Sequence, residues 1–190
     1  MSRQTLDRTP VVLVLASGKA RRFLASGGVR NKLHTPLAGR SVLEHVLAAV
    51  RQSGMRSQLV TGIEGGMGNS IAAGVAATPD ATGWLILPGD LPMVSPVSLL
   101  RVAAMLSQSS VVVPYWQGQR GHPVGFADQC RELLLQLRGD AGAVSVVKTF
   151  RECEAVTNLA LDDAGIIQDV DTVNDLERKE ALLRMRHHAL

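Results

Sequence analysis

The chain has 190 residues, of which 46% are hydrophobic, 19% charged and only 3% aromatic, and its formal net charge at pH 7 is +3. This composition excludes a disordered chain and supplies enough aliphatic side chains for a core. The small net charge and the few aromatic side chains argue against a nucleic-acid partner, which would need clustered positive charge or stacking platforms. No apolar run is long enough to span a membrane and no signal peptide is recognisable, so we expect a cytoplasmic protein without a membrane partner.

Short aliphatic runs alternate with amphipathic segments along the chain. This alternation predicts a single domain over residues 1–190, with a three-layer α/β/α architecture and a mostly parallel, Rossmann-like sheet. The predicted strands are residues 11–15, 57–62, 83–90, 110–115, 122–126, 153–158 and 165–170. The predicted helices are residues 41–54, 70–77, 95–108, 127–137, 143–150 and 172–186.

Local signals refine this outline at three places. Residues 18–36 contain glycines and arginines without periodicity and are expected to form a long loop. Ser41 and Glu44 have the spacing of a capping box, and Ser95 is the expected cap of the helix that follows it. Cys130 and Cys153 lack metal-ligand spacing and are expected to be buried, reduced thiols.

The segment "VLVLASGKARRF" leaves the first predicted strand through a turn of small residues that ends at Gly18. Backbone amides in such a turn can hold an anion, and Arg22 and Lys32 further along would neutralise a polyphosphate. The segment matches neither the P-loop nor the dinucleotide-binding pattern. A polyphosphate site and an ordinary turn with surface arginines are equally open at this stage.

The segment "LILPGDLP" places Asp90 directly after a buried predicted strand. Open α/β sheets bind their ligands at this carboxyl edge. A short carboxylate there suits Mg²⁺, which prefers one or two carboxylates together with substrate phosphates. The alternative is that Asp90 only caps a turn before Pro92.

Three later segments carry further candidates. Ser70 lies in the glycine-rich "GGMGNSIAAG" and is suited to hydrogen-bond a ribose or a base. His122 in "RGHPVGF" is a candidate contact to a second substrate. Asp171 in "DVDTVNDL" is a candidate second metal ligand. The alternatives are a helix cap for Ser70, a solvated loop histidine for His122 and a helix cap for Asp171. No hydrolase-triad motif, H-E-x-x-H or paired-cysteine motif occurs.

Taken in chain order, these segments resemble the molybdenum cofactor nucleotidyltransferase family of the nucleotide-diphospho-sugar transferase-like superfamily, and most closely its cytidylyltransferase branch. "LASGKARRF" is similar to the family's opening L-A-A-G-x-x-x-R. The segments "GMGNSIAAGV", "LPGDLPMV", "GHPVGF", "RGDAGA" and "DVDTVNDL" then follow in the family's order. The resemblance spans nearly the whole chain.

The resemblance implies Mg²⁺-dependent transfer of a nucleoside monophosphate from an NTP to the phosphate of molybdopterin, with release of pyrophosphate and a molybdoenzyme as recipient of the product. CTP is expected over GTP, because Ala16 and the Gly-His-Pro loop match the cytidylyltransferase branch. The site residues that it implies are Leu15, Ala16, Ser17, Gly18 and Ser70 for the nucleotide, Gly121, His122 and Pro123 for the acceptor, Arg22, Lys32 and Asp90 for catalysis, and Asp90 and Asp171 for the metal.

Two features depart from the family pattern. Leu24 stands where glycine is expected, and the loop before Lys32 is lengthened. Only "IEGG" separates the second predicted strand from the Gly-Met segment, so one strand–helix layer of the family is expected to be missing. Two other hypotheses stay open: a related transferase that uses another phosphorylated acceptor, and a degenerate protein that binds nucleotide or cofactor without turnover.

Overall fold

The computed structural model describes residues 9–188, with side chains up to residue 185. Its strands are β1 (Val11–Leu15), β2 (Pro36–Leu37), β3 (Arg40–Ser41), β4 (Ser57–Val60), β5 (Gly83–Pro88), β6 (Val111–Trp116), β7 (Gln119–Arg120), β8 (Val124–Ala127) and β9 (Val156–Ala160). Its α-helices are α1 (Arg21–Ala25), α2 (Val42–Gln52), α3 (Met67–Ala76), α4 (Pro96–Met105), α5 (Arg131–Leu135), α6 (Val144–Glu152) and α7 (Val173–His188). Short 3₁₀ helices occupy Lys32–His34, Asp128–Cys130 and Ala164–Ile167.

Seven strands form one mixed, mostly parallel sheet in the order β4-β1-β5-β8-β6-β7, with β9 also paired to β6. β1 pairs in parallel with β4 and β5, and β6 pairs in parallel with β9, whereas β8 runs antiparallel between β5 and β6. Because β1, β4 and β5 share one direction, their carboxyl ends meet at the same edge of the sheet. β2 and β3 form a separate two-stranded ribbon.

Helices cover both faces of the sheet, as the composition predicts. Leu13 of β1 packs in a buried cluster with Ile71 of α3, whereas its neighbour Val14 packs in a second cluster with Val46 of α2. Alternate residues of a strand point to opposite faces, so the two clusters are the two cores of a three-layer α/β/α fold. Val11–Leu15 are all buried, which explains their continuous aliphatic sequence.

The predicted helix caps are confirmed. The Ser41 hydroxyl accepts a hydrogen bond from the Glu44 amide, and the Glu44 carboxylate accepts one from the Ser41 amide, forming a capping box at the start of α2. Ser95 caps α4 with Pro96 in its first turn. As expected from the short "IEGG" connection, the sheet ends at β4 and the chain passes directly into α3.

Several boundary predictions are wrong. Residues 165–170 are not a strand, because Asp163 accepts hydrogen bonds from Ser95 and Ser98 and holds this segment, with its 3₁₀ turn, against the start of α4. The expected loop over 18–36 contains α1, because Phe23 is drawn into a third buried cluster. The helix predicted to open at residue 70 begins at Met67.

The two cysteines differ from one another. Cys130 is buried and its burial raises the pKa of the thiol to about 12, as expected for a structural cysteine. Cys153 is exposed, so the expectation of burial was wrong for it, because it follows the last turn of the amphipathic helix α6.

In the part of the chain that the structure describes, no helix is both long and apolar enough to cross a membrane.

Candidate active site

The turn after β1 is tied to the end of β4. The Ala16 amide donates to the Val60 carbonyl at 2.8 Å, and the Ser17 hydroxyl accepts from the Ile63 amide at 3.3 Å. Ala16 and Ser17 are half-buried, and Gly18 is exposed. Leu15 belongs to the core by its side chain and offers the site only its backbone. The predicted phosphate turn therefore lies at the carboxyl edge of the sheet with Gly18 at its surface.

Asn31 brings the lengthened loop back to this turn. Its side-chain amide donates to the Gly18 carbonyl at 3.2 Å, while its side-chain oxygen accepts from the Leu33 amide at 3.0 Å. The 3₁₀ turn that follows begins at Lys32. The extra residues are absorbed by α1 and the turn after it, so the longer loop still directs Lys32 into the site.

Asp90 lies beside the same turn because β5 and β1 end together. The Gly89 amide donates to the Leu15 carbonyl at 2.9 Å, and a Cβ atom at position 89 would lie only 3.0 Å from that oxygen, so a glycine is needed for this close approach. Asp90 Oδ2 is 2.6 Å from Lys32 Nζ. Asp90 Oδ1 is buried, and it has no hydrogen-bond partner among the residues that the structure describes.

Asp171 joins the cluster from the end of the chain. The Val170 amide donates to the Asp90 carbonyl at 2.9 Å, which fixes the two carboxylates side by side. Asp171 Oδ1 is 2.8 Å from Lys32 Nζ, and Asp171 Oδ2 is 2.6 Å from Arg22 Nη1. Four residues predicted from separate segments are thus brought together.

The capping role considered for Asp171 belongs to its neighbour. The Thr172 hydroxyl accepts from the Asp175 amide at 3.2 Å, and Asp175 Oδ2 accepts from the Thr172 amide at 2.8 Å. This reciprocal pair caps α7 and leaves both side-chain oxygens of Asp171 for the cluster. The expectation that a strand precedes Asp171 was wrong, as described above for residues 165–170.

The charged groups of the cluster act on one another. Burial lowers the pKa of Lys32, but the charge of Asp90 and hydrogen bonds to Asp171 and Asp90 outweigh it and raise that pKa above its usual value, so Lys32 is charged. Asp169, which the sequence reasoning missed, adds a third carboxylate nearby. Partial desolvation, then the charges of Asp171 and Asp90, raise the pKa of Asp169. Asp169 and Asp171 also act on the ammonium group of Lys179, so the carboxylates of the cluster are already accompanied by cations.

Asp90 and Asp171 are candidate ligands for a metal ion. Two carboxylates meet at one point, and Asp90 Oδ1 is buried without a partner. Oxygen ligands of this number fit Mg²⁺ or Mn²⁺ completed by water and phosphate oxygens. Within residues 9–188 no group of three or more His, Cys, Asp or Glu side chains has a metal-holding arrangement. A divalent cation here would depend on the substrate for the rest of its ligands.

His122 lies in a second part of the site, at the start of β8. Its amide donates to the Ile166 carbonyl at 2.8 Å, and its Nδ1 is buried with no hydrogen-bond partner in the described part of the chain. Burial and the charge of Arg120 lower the pKa of His122, although the Ile86 backbone and Asp90 act in the opposite direction. The flanking Gly121 and Pro123 are buried and hold the loop rather than present side chains.

A pocket of about 170 Å³ opens beside His122. We call it the His122 pocket. Its lining is mostly apolar, and its polar side chains come from Arg120 and His122. The residues that line it are Met67, Ile71, Ile86, Arg120, His122, Val124, Phe126, Ala141, Gly142, Ala143 and Val144.

The Gly-Met and Gly-Asp segments form one wall of this pocket. The Gly68 amide donates to the Gly139 carbonyl at 2.8 Å, and the Asn69 side chain accepts from the Gly139 amide at 2.8 Å. Ser70 is buried, and its hydroxyl donates to the Gly66 carbonyl. The structure therefore does not turn Ser70 toward the cluster around Lys32, and a direct nucleotide contact from it stays a prediction.

Three residues of the site were not found from the sequence. Asn31 gave one usable signal, because an Asn directly before a 3₁₀ turn is a common cap. Asp169 had the Asp-x-Asp spacing with Asp171 as its signal. Arg120 gave none, since its approach to His122 depends on the hairpin of β6 and β7.

An open α/β sheet that collects carboxylates and cations at its carboxyl edge is an architecture of enzymes that act on nucleotide phosphates. Residues 57–156 match a family model described as a MobA-like NTP transferase domain. The chain belongs to this family, and family and fold together make it a nucleotidyltransferase. The matched range includes Asp90 and His122, whereas Gly18, Lys32 and Asp171 lie outside it.

Known proteins resemble the chain over nearly its full length. The purine catabolism protein PucB of Bacillus subtilis is 28% identical over 204 residues, with 90% of this chain and 96% of PucB covered. The crystal structure of Rv0371c from Mycobacterium tuberculosis is 26% identical with a TM-score of 0.76, covering 91% of this chain and 97% of that one. Another structure of Rv0371c, a complex with manganese, has a TM-score of 0.71 at 24% identity, over 91% and 98% of the two chains.

A molybdopterin-guanine dinucleotide biosynthesis protein A from Archaeoglobus fulgidus shares the fold. Its TM-score is 0.67 at 16% identity, with 92% of this chain and 99% of that chain covered. This likeness confirms the α/β fold of the nucleotide-diphospho-sugar transferase type that the sequence predicted.

Proposed function

We propose that the protein transfers a nucleoside monophosphate, CMP in preference to GMP, from an NTP to the phosphate of a molybdopterin-type acceptor. The observation that carries the proposal is the contact of Lys32 with both Asp90 and Asp171, next to the turn at Gly18. Cations and exposed backbone amides suit a triphosphate, and paired carboxylates suit the divalent cation that accompanies it. The family and the Archaeoglobus relative support the molybdopterin acceptor.

In the proposed reaction an oxygen of the acceptor phosphate forms a bond to the α-phosphorus of the NTP. The bond between that phosphorus and the oxygen bridging to the β-phosphate breaks, and pyrophosphate leaves with the electron pair. The acceptor phosphate is already ionised at neutral pH, so the chain needs to supply neither a nucleophile nor a strong base. Its task is to position two anions and stabilise the charge that develops between them.

The residues of the cluster divide this task. Lys32 and Arg22 bind the triphosphate and the departing pyrophosphate, and the turn through Gly18 offers amides to phosphate oxygens. Asp90 and Asp171 would hold Mg²⁺ or Mn²⁺, which supplies charge neutralisation at the phosphates when bound. The manganese complex of Rv0371c supports such a cation at this fold.

The His122 pocket is the proposed acceptor site. Its position on β8 and the 141–144 segment places it next to Asp90, whose charge reaches His122. His122 with a lowered pKa stays neutral, so it can hydrogen-bond a polar edge of the acceptor without adding charge. Arg120 at the same pocket suits the acceptor phosphate.

The decisive experiment incubates the purified chain with molybdopterin, Mg²⁺ or Mn²⁺, and each of CTP, GTP, ATP and UTP in turn. Pyrophosphate is quantified, and the product is identified by mass spectrometry. We expect a molybdopterin dinucleotide with CTP fastest. A dinucleotide formed on another phosphorylated acceptor, and not on molybdopterin, would replace the acceptor in this proposal.

A folded protein that binds NTP and releases no pyrophosphate with any acceptor would instead support the non-catalytic hypothesis. Binding by calorimetry separates the cases, because a degenerate protein retains nucleotide binding in Asp90→Ala without any turnover to lose. The intact cluster of Lys32, Asp90 and Asp171 favours catalysis over this alternative.

A further inference from the structure

Lys32 occupies the position between the two carboxylates that are proposed to hold the metal ion. Its Nζ lies 2.6 Å from Asp90 Oδ2 and 2.8 Å from Asp171 Oδ1, and its side chain is only 12% exposed. We infer that Lys32 is an exchangeable counter-ion: it holds Asp90 and Asp171 together, and it moves to the triphosphate when nucleotide and metal enter. This inference rests on the proposed function and adds a coupling between the binding of the nucleotide and the binding of the metal ion.

Both side-chain oxygens of Asp171 already contact a cation. One oxygen contacts Lys32 and the other contacts Arg22 at 2.6 Å. A divalent cation that contacts Asp171 must therefore either displace one of these two groups or lie beside it. The side chain of Arg22 is 81% exposed, so it is the easier group to displace. A metal ion in its place still lies beside the buried ammonium group of Lys32, and the two positive charges repel each other strongly.

A triphosphate removes this conflict because it brings anionic oxygens for both cations. Lys32 can then leave the carboxylates without becoming an unpaired buried charge, which would be costly. The metal ion in turn gains phosphate ligands in addition to Asp90 Oδ1, the buried oxygen without a partner. Nucleotide and metal should therefore bind with positive coupling, and this coupling is reciprocal by thermodynamic linkage.

The test measures Mn²⁺ binding by electron paramagnetic resonance of the free ion, in the absence of nucleotide, for the full chain and for Lys32→Gln. Lys32→Gln should bind Mn²⁺ at least tenfold more tightly than the unmodified chain, because the competing charge is gone. A non-hydrolysable CTP analogue should tighten Mn²⁺ binding in the unmodified chain, and less so in the variant. Lys148→Gln, at an exposed position on α6, should leave both affinities unchanged.

The inference is overturned if Lys32→Gln binds Mn²⁺ with unchanged or lower affinity, which would make Lys32 a supporting residue of the metal site. Thermal unfolding keeps the test decisive if the variant is unstable. Because Asp90 and Asp171 then lack their shared cation, Mn²⁺ should raise the midpoint of Lys32→Gln more than that of the unmodified chain. A variant that Mn²⁺ does not stabilise contradicts the inference as well.

These readouts are independent of turnover. Absence of pyrophosphate release with every NTP would overturn the proposed reaction and leave the Mn²⁺ competition to be judged on its own result. Conversely, an active enzyme whose Lys32→Gln variant shows no gain in Mn²⁺ affinity would overturn only the exchange of Lys32.

Discussion

The cluster around Lys32 and the His122 pocket lie at neighbouring places on one sheet, yet they are built in opposite ways. In the cluster, Asp90, Asp171 and Arg22 make charged contacts of 2.6 to 2.8 Å, and residues from both ends of the chain take part. In the pocket the lining is mostly apolar, and the Nδ1 atom of His122 is buried without a partner. One region is held by ion pairs, and the other by apolar packing and hydrogen bonds to the backbone.

This difference separates what the two regions can recognise. A cluster of paired charges binds phosphate groups, which all nucleoside triphosphates share, so it determines the type of reaction. An apolar pocket with a few polar groups discriminates by shape and by single hydrogen bonds, so it determines which acceptor enters. Substitutions in the cluster should therefore change the rate of transfer, and those in the pocket should change the affinity for the acceptor.

Asp90→Asn should have the largest effect. It removes a charge that holds Lys32 and a proposed metal ligand while keeping the shape of the side chain. We expect kcat to fall on the order of 10²- to 10³-fold, the cost of losing one group that stabilises transition-state charge. Steady-state pyrophosphate release measures it. Asp80→Asn is the matched control, since Asp80 pairs with Arg56 near the surface at 2.9 Å, and it should retain full activity.

An Asp90→Asn variant that retains more than about a third of the activity would show that the carboxylate plays no part in the reaction. The charged cluster would then not determine the rate of transfer.

Gly18→Ala should have the next largest effect, on nucleotide binding alone. A Cβ atom at Gly18 meets no atom within 4 Å, and the backbone there is not in the left-handed region, so the fold tolerates alanine. The thermal midpoint should stay the same or rise slightly. A triphosphate seated on the turn would collide with the methyl group, and we expect its affinity to fall about tenfold, which is about 1.4 kcal/mol.

Calorimetric titration with a non-hydrolysable NTP analogue measures this change. Unchanged affinity in a fully folded Gly18→Ala variant would place the triphosphate away from the turn.

His122→Asn should weaken the binding of the acceptor and leave the binding of the nucleotide unchanged. Loss of one hydrogen bond from the pocket should raise KM for the acceptor about three- to tenfold. KM for the NTP and kcat at saturating acceptor should hardly change, because the cluster is intact. Steady-state kinetics with each substrate varied in turn shows this split. An increase confined to KM for the NTP would assign the pocket to the nucleotide base instead.

The smallest effect concerns stability as a function of pH. The pKa of His122 is lowered in the fold, so below about pH 6.5 the unfolded chain binds a proton that the native chain does not. Stability should therefore decrease as pH falls below about 6.5 toward the lowered pKa of His122, by at most about 1.4 kcal/mol per pH unit from this group. His122→Asn should flatten this dependence in chemical denaturation, and an equal slope in both proteins would contradict the burial of a neutral imidazole.

The predicted parts of the molecule are those encoded by short, continuous patterns. β1 and β5 are buried aliphatic runs, and Asp90 directly follows one of them, so its place at the sheet edge could be derived from local sequence alone. The capping box of Ser41 and Glu44 is equally local. The resemblance to a nucleotidyltransferase family added the expectation that Arg22, Lys32 and Asp171 belong to the same site.

The parts that could not be predicted depend on contacts between distant segments. The position of Lys32 depends on Asn31 reaching the Gly18 carbonyl, and that of Asp171 depends on the Val170 amide bonding to Asp90. Residues 165–170 are aliphatic enough for a strand, yet Asp163 anchors this stretch to the start of α4. None of these contacts leaves a periodic signal in the sequence.

We propose that Asp90, Asp171 and Lys32 together bind the metal ion and the triphosphate. Anomalous diffraction from crystals grown with Mn²⁺ and a non-hydrolysable CTP analogue tests it most directly. We expect an Mn²⁺ peak coordinated by the carboxylates of Asp90 and Asp171, with Lys32 Nζ moved onto a phosphate oxygen. A bound nucleotide whose Mn²⁺ ion touches neither carboxylate would contradict it.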